Sequence, residues 1–290
     1  MVVDTQSGGV AAQHRVRGFE AGWRTDTAWL LAPWLLVTEA NTLEPGAEPL
    51  RIYRYDLRTG DSVTVTRLTE FPEASLVWDA ADGLAVFDTM HLDRLTSCYW
   101  TLDVAALAWR RVWCGPRTWI VDWLRLGPGP TVTLRLQEDP HDGLEPCVRL
   151  FRHPLTTDEE PTEVPLQTPC QAFSGAGGSD WTAWSEVGLH SEDIGESAGF
   201  AQLPDGRVVS LGYVATGSLS ACGGWVYWQA RMTRPERPTL VRWRPGEDAQ
   251  LVFEGRSGTL LGRQECNGGW MTIMVAVPGE TETVLSAQAD

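Results

Sequence analysis

The sequence predicts an all-β protein, a six-bladed β-propeller, and three observations support this fold class. A hydrophobic segment recurs six times along the chain, with start positions that lie 49, 47, 50, 44 and 45 residues apart. Hairpin-like segments recur downstream with the same spacing. Helical periodicity is absent, so the repeated unit consists of strands. Four strands in about 45 residues are typical of a propeller blade.

The six recurring segments are predicted to be the second strand of each blade. Each follows a short polar or Gly-rich turn, and in two of them a Gly-Gly pair precedes Trp225 or Trp270. The segments are "WLLVTEA" from Trp34, "GLAVFDTM" from Gly83, "PTVTLRLQ" from Pro130, "DWTAWSEV" from Asp180, "GWVYWQARM" from Gly224 and "GWMTIMVAV" from Gly269.

The hairpins that follow are predicted to be the third and fourth strands. They read "IYRYDLRTGDSVTVTRL", "CYWTLDVAALAWRRVW", "CVRLFRHPLTTDEEPTEVPL", "GFAQLPDGRVVSLG" and "LVRWRPGEDAQLVFEG". Good turn formers separate the two arms of several hairpins, as at Thr59-Gly60-Asp61, Pro204-Asp205-Gly206 and Pro245-Gly246-Glu247. One such sheet cannot bury both of its faces, so neighbouring blades are expected to stack.

We therefore expect a single propeller domain over residues 1–290. The sixth unit has room for only three strands, so "HRVRGFE", His14 to Glu20, is expected to supply the outer strand of the last blade. A two-domain β-sandwich is the alternative fold. It predicts no fixed spacing between repeats, and the chain shows no Pro- or Ser-rich linker that would join two such domains. The predicted blades span residues 21–69, 70–114, 115–167, 168–212, 213–255 and 256–290, with the strand at 14–20 joining the last.

Several segments resemble the TolB-like, WD40-like family of bacterial six-bladed propellers. The segments "RIYRYDLRTGDSVTVTRL", "GGSDWTAWSE" and "GGWVYWQ" are similar to its repeat, whereas "TLDVAAL" and "HPLTTDEEP" depart from it. The resemblance covers essentially the whole chain and implies a propeller in the periplasm or at the cell surface. It implies no active site.

Composition narrows the classes of function. Apolar residues make up 43% of the chain, yet no stretch reaches the roughly 20 apolar residues of a membrane helix. The formal net charge is -15, and the chain has no Lys, so all 23 basic residues are Arg. An acidic surface without a basic stripe argues against nucleic acid and anionic membranes as partners. A protein or glycan partner is expected instead.

Six cysteines fit a disulfide framework. Cys98 and Cys114 lie at nearly equal distances from the turn of the second hairpin, and Cys147 and Cys170 are placed in the same way in the third. Opposed residues of paired strands are close enough for a disulfide. Cys222 and Cys266 occupy matching turns of adjacent blades, so we expect that third pair as well.

The expected compartment follows from these cysteines. The start, "MVVDTQSGG", has neither the charged region nor the apolar region of a signal peptide. Either a leader has been removed, or the protein stays in the cytosol with free thiols. If the pairs form, the protein folds in an oxidising compartment, which predicts an extracellular or periplasmic location.

Three histidines lie in equivalent loops, each joining the second and third strands of a blade. His91, His141 and His190 each have carboxylates nearby in sequence. Imidazole beside carboxylate is suited to binding a divalent metal or to acid–base catalysis. The alternative is that these are solvated surface side chains. The candidate catalytic set is His91, His141, His190, Asp88, Glu138 and Glu186.

Other candidate binding residues come from loops and from the predicted innermost strands. Asp139, His141 and Asp142 form an acidic turn, "EDPHDG", that suits calcium, although its spacing is not that of an EF-hand. No cofactor is expected otherwise, and zinc is the other divalent metal considered. The candidate binding residues are Arg117, Arg231, Arg234, Arg237 and Glu73.

Two functions of different classes follow. One is an exported binding scaffold that holds a protein or glycan through its loops, because the chain has no GxSxG, HExxH or P-loop motif. The other is a metal-dependent hydrolase or lyase that uses the His and carboxylate loops of blades 2–4. The scaffold is the preferred interpretation.

Overall fold

The computed structural model describes residues 2–3, 10–12, 23–41, 50–73, 76–90, 97–116, 119–138, 146–156, 159–187, 196–230, 237–267, 269–277, 279 and 283–289. Almost all of its regular structure is strand, and a single 3-10 turn lies at Val65–Arg67 in the described part. The chain forms two compact units, Met1–Cys114 and Gly115–Asp290. Each unit is described by itself below.

Unit 1 contains blades 1 and 2, each a four-stranded antiparallel sheet whose strands are paired in chain order. A separate two-stranded sheet is formed by β1 (Val2–Val3) and β2 (Val10–Ala12). Blade 1 contains β3 (Trp23–Leu31), β4 (Trp34–Asn41), β5 (Arg51–Asp56) and β6 (Ser62–Thr64). Blade 2 contains β7 (Leu76–Ala81), β8 (Leu84–Met90), β9 (Ser97–Asp103) and β10 (Ala108–Cys114).

Unit 2 contains blades 3 to 6. Blade 3 contains β11 (Trp119–Gly127), β12 (Thr131–Glu138), β13 (Val148–Pro154) and β14 (Thr162–Glu163). Blade 4 contains β15 (Ala172–Gly177), β16 (Thr182–Glu186), β17 (Glu196–Gln202) and β18 (Val208–Ala215). Blade 5 contains β19 (Ser220–Cys222), β20 (Trp225–Ala230), β21 (Thr239–Trp243) and β22 (Gln250–Glu254). Blade 6 contains β23 (Leu260–Asn267), β24 (Trp270–Ala276) and β25 (Thr283–Gln288).

The all-β, six-bladed propeller prediction is confirmed. The second strands begin at Trp34, Leu84, Thr131, Thr182, Trp225 and Trp270, within two residues of the predicted starts. The described part of blade 6 has three strands, as the length of the sixth unit predicted. The segment proposed as its fourth strand, residues 14–20, lies outside the described residues. No helix among the described residues is long and apolar enough to cross a membrane.

Apolar side chains between successive blades form the core within each unit. In unit 1, Leu36 and Ile52 of blade 1 pack with Phe87 and Leu102 of blade 2, and all four are fully buried. In unit 2, one core cluster contains Trp228 and residues of blades 4 and 5, while others join blades 3 and 4 and blades 5 and 6. Stacking of neighbours therefore supplies the burial that a single sheet lacks.

All three predicted disulfides are confirmed. Cys98–Cys114 joins β9 to β10, and Cys147–Cys170 joins the start of blade 3's third strand to the connection that leads to blade 4. Cys222–Cys266 joins the innermost strands of blades 5 and 6. No free cysteine is present among the described residues. Three disulfides indicate that the protein folds in an oxidising environment.

The Gly-Gly pair before Trp225 has a local explanation. Gly224 adopts φ +81°, which L side chains rarely adopt. A Cβ on Gly223 would lie 2.0 Å from the carbonyl oxygen of Ala289, which is buried. The turn therefore requires glycine at both positions, once for backbone conformation and once for close packing against the end of blade 6.

Candidate functional site

Each four-stranded blade has two distinct ends. The turns between strands one and two and between strands three and four lie at one end, which we call the turn end. The end of strand two and the start of strand three lie at the other, together with the ends of the blade that lead to its neighbours, because the strands alternate in direction. We call this second end the loop end, and it is the end to which sequence analysis assigned the candidate site.

Many of the predicted site residues lie outside the described residues. These are His91, His141, His190, Asp139, Asp142, Arg117, Arg231 and Arg234. Their roles stay predictions. The rest of the predicted set is described: of the candidate catalytic carboxylates, Asp88 belongs to unit 1, whereas Glu138 and Glu186 belong to different blades of unit 2.

Asp88 is a buried carboxyl near the end of β8. The residue is 4% exposed, and in the antiparallel register it lies opposite Leu76 of β7 and Tyr99 of β9. Burial raises the pKa of the Asp88 carboxyl to about 7, and a hydrogen bond from the Leu76 backbone opposes that rise only in part. A carboxyl with such a pKa exists in both protonation states near neutral pH.

Glu186, in β16, has a structural role. It is 3% exposed and accepts three hydrogen bonds. The backbone N–H of Gln167 donates to Oε1 at 2.7 Å, that of Thr168 to Oε2 at 2.7 Å, and the indole N–H of Trp184 to Oε1 at 2.6 Å. Both carboxylate oxygens are therefore engaged in fixing the connection between blades 3 and 4.

The other described candidates are Glu138, Arg237 and Glu73. Glu138 ends β12, is half-buried, and its backbone N–H donates to the carbonyl oxygen of Cys147 at 2.9 Å. Arg237 is exposed and pairs with Glu254 at 3.3 Å, while Glu73 is exposed in the segment before β7. No group of three or more His, Cys, Asp or Glu side chains within the described ranges is arranged to hold a metal ion.

A cavity of about 430 Å³ lies at the loop end of blade 3. Arg149 and Glu163 supply its charged groups, and it continues along the connection to blade 4 and the Cys147–Cys170 disulfide. Its volume lies within the range of about 300–1,000 Å³ that is usual for ligand sites. The lining residues of this Arg149 cavity are Arg149, Glu163, Val164, Pro165, Leu166, Pro169 and Cys170.

One wall of the Arg149 cavity, residues 163–170, has almost no regular structure, yet it is fixed at successive points. The N–H of Val164 donates to the carbonyl of Leu150 at 2.8 Å, and the N–H of Val148 donates to that of Cys170 at 3.1 Å. The Glu186 carboxylate holds residues 167 and 168 between them. The wall is thus held in place by strand contacts, a buried carboxylate and a disulfide.

Arg149 is the cationic group of the cavity. Its guanidinium lies 5.2 Å from the ring centroid of Trp119, close enough for a cation–π contact. Its Nη1 lies 3.6 Å from Oε2 of Glu163, too far for a hydrogen bond, and the two side chains are 41% and 48% exposed. Arg149 donates no hydrogen bond to any residue in the described part of the chain.

A second cavity, of about 320 Å³, lies at the turn end of unit 2. Turns of blades 3, 4 and 5 form it, and its cationic group is Arg244. The Nε of Arg244 donates to Oε1 of Glu247 at 2.6 Å, and the guanidinium stacks on Trp225 at 4.3 Å. The lining residues of this Arg244 cavity are Pro128, Gly129, Ser179, Asp180, Trp181, Gly224, Arg244 and Pro245.

The sequence contained a signal for Arg149 that sequence analysis did not use. In blade 1, Arg51 at the start of the third strand lies 3.5 Å from the ring of Trp23 at the start of the first. Arg149 and Trp119 hold the same places in blade 3. This recurrence of Arg and Trp at matching positions pointed to the loop end. The wall at 163–170 had no such signal.

Structural comparison confirms the fold. The acylaminoacyl peptidase of Pyrococcus horikoshii is 9% identical with a TM-score of 0.65, over 94% of this chain and 46% of the peptidase. The β-propeller domain of the Trilobed protease from Pyrococcus furiosus is 9% identical with a TM-score of 0.61, over 92% of this chain and 83% of that one. An oligogalacturonate lyase in complex with manganese is 14% identical with a TM-score of 0.57, over 87% and 73%.

A TolB protein is also among the matched structures, at a lower structural similarity. TolB from Acinetobacter baumannii is 15% identical with a TM-score of 0.46, over 81% of this chain and 57% of TolB. No family model matches the chain. No curated protein matches it significantly. The chain spans less than half of the acylaminoacyl peptidase, and all of these likenesses concern the fold.

Proposed function

We propose that the protein is an exported binding scaffold whose loop end receives a partner at the Arg149 cavity. The observation that carries this proposal is the fixation of the wall at 163–170 by Glu186 and by the Cys147–Cys170 disulfide. A cavity that is shaped before binding loses less conformational entropy when its ligand arrives. Glu186, one of the predicted catalytic carboxylates, serves that wall.

The partner is proposed to be a protein or a glycan outside the cytosol. The three disulfides support an extracellular or periplasmic location. The net charge of -15 supports a partner that is neutral or basic overall, because like charges repel across an interface.

Photo-crosslinking from the two cavities tests this proposal. A benzoylphenylalanine replaces Pro169 in the Arg149 cavity, and in a matched variant it replaces Pro245 in the Arg244 cavity. In the native envelope fraction, the probe at position 169 is expected to capture one discrete partner and the probe at 245 none. Equal capture from both positions, or none from 169, would contradict the proposal.

A metal-dependent hydrolase or lyase is the second candidate function. The observation that favours it is the buried Asp88 carboxyl, whose pKa near 7 suits acid–base work and whose strand ends at Met90, the residue before His91 in sequence. Several matched proteins are named as enzymes, so the fold is compatible with catalysis. Metal analysis of the purified protein separates the two functions: bound zinc or calcium, with melting that falls on chelation, supports the enzyme.

A further inference from the structure

The hydrogen-bonding capacity of Arg149 identifies what the cavity selects. A guanidinium carries five N–H donors in a planar fork. In the described part of the chain, none of those of Arg149 is used, although stacking on Trp119 limits where the group can lie. The facing Glu163 approaches at 3.6 Å and compensates charge without occupying a donor.

The wall at 163–170 is lined mainly by apolar side chains. Val164, Pro165, Leu166 and Pro169 are apolar, and the disulfide at Cys170 adds polarisable sulfur beside them. A ligand that fills the cavity therefore meets an apolar surface and a directional cation at the same time. Planar donors of this kind match the two oxygens of a carboxylate, which accepts two parallel hydrogen bonds.

We infer that the Arg149 cavity binds a carboxylate carried beside an apolar group, as at the C-terminal residue of a peptide or at an acidic side chain next to an apolar one. This inference rests on the proposed function and names the chemistry of its partner. The net negative charge of the chain favours a single carboxylate over a polyanion, because each further acidic group adds repulsion and the described lining residues include no second cation.

Three synthetic peptides separate the possible sources of the carboxylate. The first is Gly-Ser-Gly-Leu with a free C-terminus, the second is the same peptide as its amide, and the third is acetyl-Gly-Leu-Glu-Gly-amide. Binding is followed by NMR through the indole N–H signal of Trp119. A free acid that binds at least about tenfold more tightly than its amide indicates a terminal carboxylate. Preference for the third peptide over the amide indicates a side-chain carboxylate.

Variants assign the effect to Arg149. Arg149→Gln is expected to remove the preference for carboxylate, while Arg149→Lys retains part of it because a point charge replaces the fork. Arg244→Gln is the matched control and is expected to leave binding unchanged, since Arg244 donates to Glu247. Thermal melting of each variant confirms that it is folded.

Equal binding of all three peptides, a preference for carboxylate that survives Arg149→Gln, or no binding of any peptide would overturn the inference. The proposed function fails separately. Capture of a discrete partner at position 169, together with peptides that ignore the carboxylate, leaves the scaffold intact and removes this inference. Absence of capture at position 169, together with a preference of the cavity for carboxylate peptides, removes the scaffold function and leaves this inference intact.

Discussion

The two cavities of unit 2 contain similar residues but differ in the hydrogen bonds that their arginines make. Each has an arginine stacked on a tryptophan, a neighbouring carboxylate and proline in its lining. At the turn end, Arg244 donates to Glu247 and is committed to the fold. At the loop end, Arg149 faces Glu163 at 3.6 Å and donates to no described residue. The two cavities therefore differ in the hydrogen bonding of their arginines and not in the kinds of residue around them.

The carboxylates show the same contrast. Glu186, behind the Arg149 cavity, is buried and accepts hydrogen bonds from two backbone N–H groups and an indole, whereas Glu247, at the Arg244 cavity, is partly exposed and accepts only from the side chains of Arg244 and Gln250. The carboxylate behind the Arg149 cavity thus fixes backbone, whereas the carboxylate at the Arg244 cavity binds side chains of its own turn. Four predictions test this difference, beginning with the largest effect.

Glu186→Ala is expected to be the most destabilising change. It leaves two backbone N–H groups and the Trp184 indole N–H without their acceptor, at about 1–3 kcal/mol for each buried donor. Urea unfolding is expected to show a loss of about 3–6 kcal/mol. Glu247→Ala is the control and is expected to cost no more than about 1 kcal/mol, because exposed ion pairs contribute little. Similar losses in both variants would remove the contrast.

Asp88→Asn extends the comparison to a buried carboxyl of unit 1. Its folded pKa of about 7 lies above the ordinary 3.8, so the folded state binds the proton more tightly than the unfolded state. The contribution of the Asp88 carboxyl to the free energy of unfolding is fully present below about pH 4. It falls by about 4 kcal/mol as pH rises to about 7.

Asp88→Asn is expected to lack this pH-dependent contribution to the free energy of unfolding. Urea midpoints of the two proteins between about pH 4 and pH 8 measure the difference. Parallel pH profiles would show that Asp88 has an ordinary pKa.

Removing the Cys147–Cys170 disulfide tests how the cavity wall is fixed. By loop entropy, the paired Ser substitutions are expected to cost about 3 kcal/mol for a separation of 23 residues. Replacing Cys222–Cys266, whose separation is 44, is expected to cost about 4 kcal/mol. Only the first change is expected to weaken peptide binding, which NMR titration measures. Equal weakening by both would mean that the effect is global.

Arg149→Gln is expected to have the smallest effect on stability, within about 1 kcal/mol, because no hydrogen bond to a described residue is lost. Arg244→Gln is expected to cost somewhat more, since it removes a donor to Glu247. Differential scanning calorimetry compares the two variants. A larger loss for Arg149 would indicate that the fold uses its guanidinium.

The fold could be predicted from the sequence because the spacing of a structural repeat gives the length and the number of its units. The spacing of Trp34, Trp225 and their counterparts gave the number of blades, and opposed positions in a hairpin gave Cys98–Cys114. The site was harder to predict. Glu186 appeared as a loop carboxylate, but its partners are backbone N–H groups 18 and 19 residues away, which no side-chain pattern encodes.

The Arg149 cavity was also beyond the sequence for a physical reason. Its wall follows β14, a two-residue strand, and is held by contacts from two segments, residues 147–150 and Glu186 of β16. Irregular backbone of this kind is specified by tertiary contacts and not by local periodicity. The Arg–Trp recurrence in blades 1 and 3 was the part of the site that the sequence did contain.

The most direct test of the central claim is the solvent protection of the two arginine Nε–H groups by nitrogen-15 NMR. The Nε–H of Arg244, which donates to Glu247 at 2.6 Å, is expected to exchange slowly at all times. That of Arg149 is expected to exchange rapidly in the free protein and slowly once the free-acid peptide is added. An Arg149 Nε–H that is already protected without peptide would contradict the claim that this cavity holds an uncommitted cation.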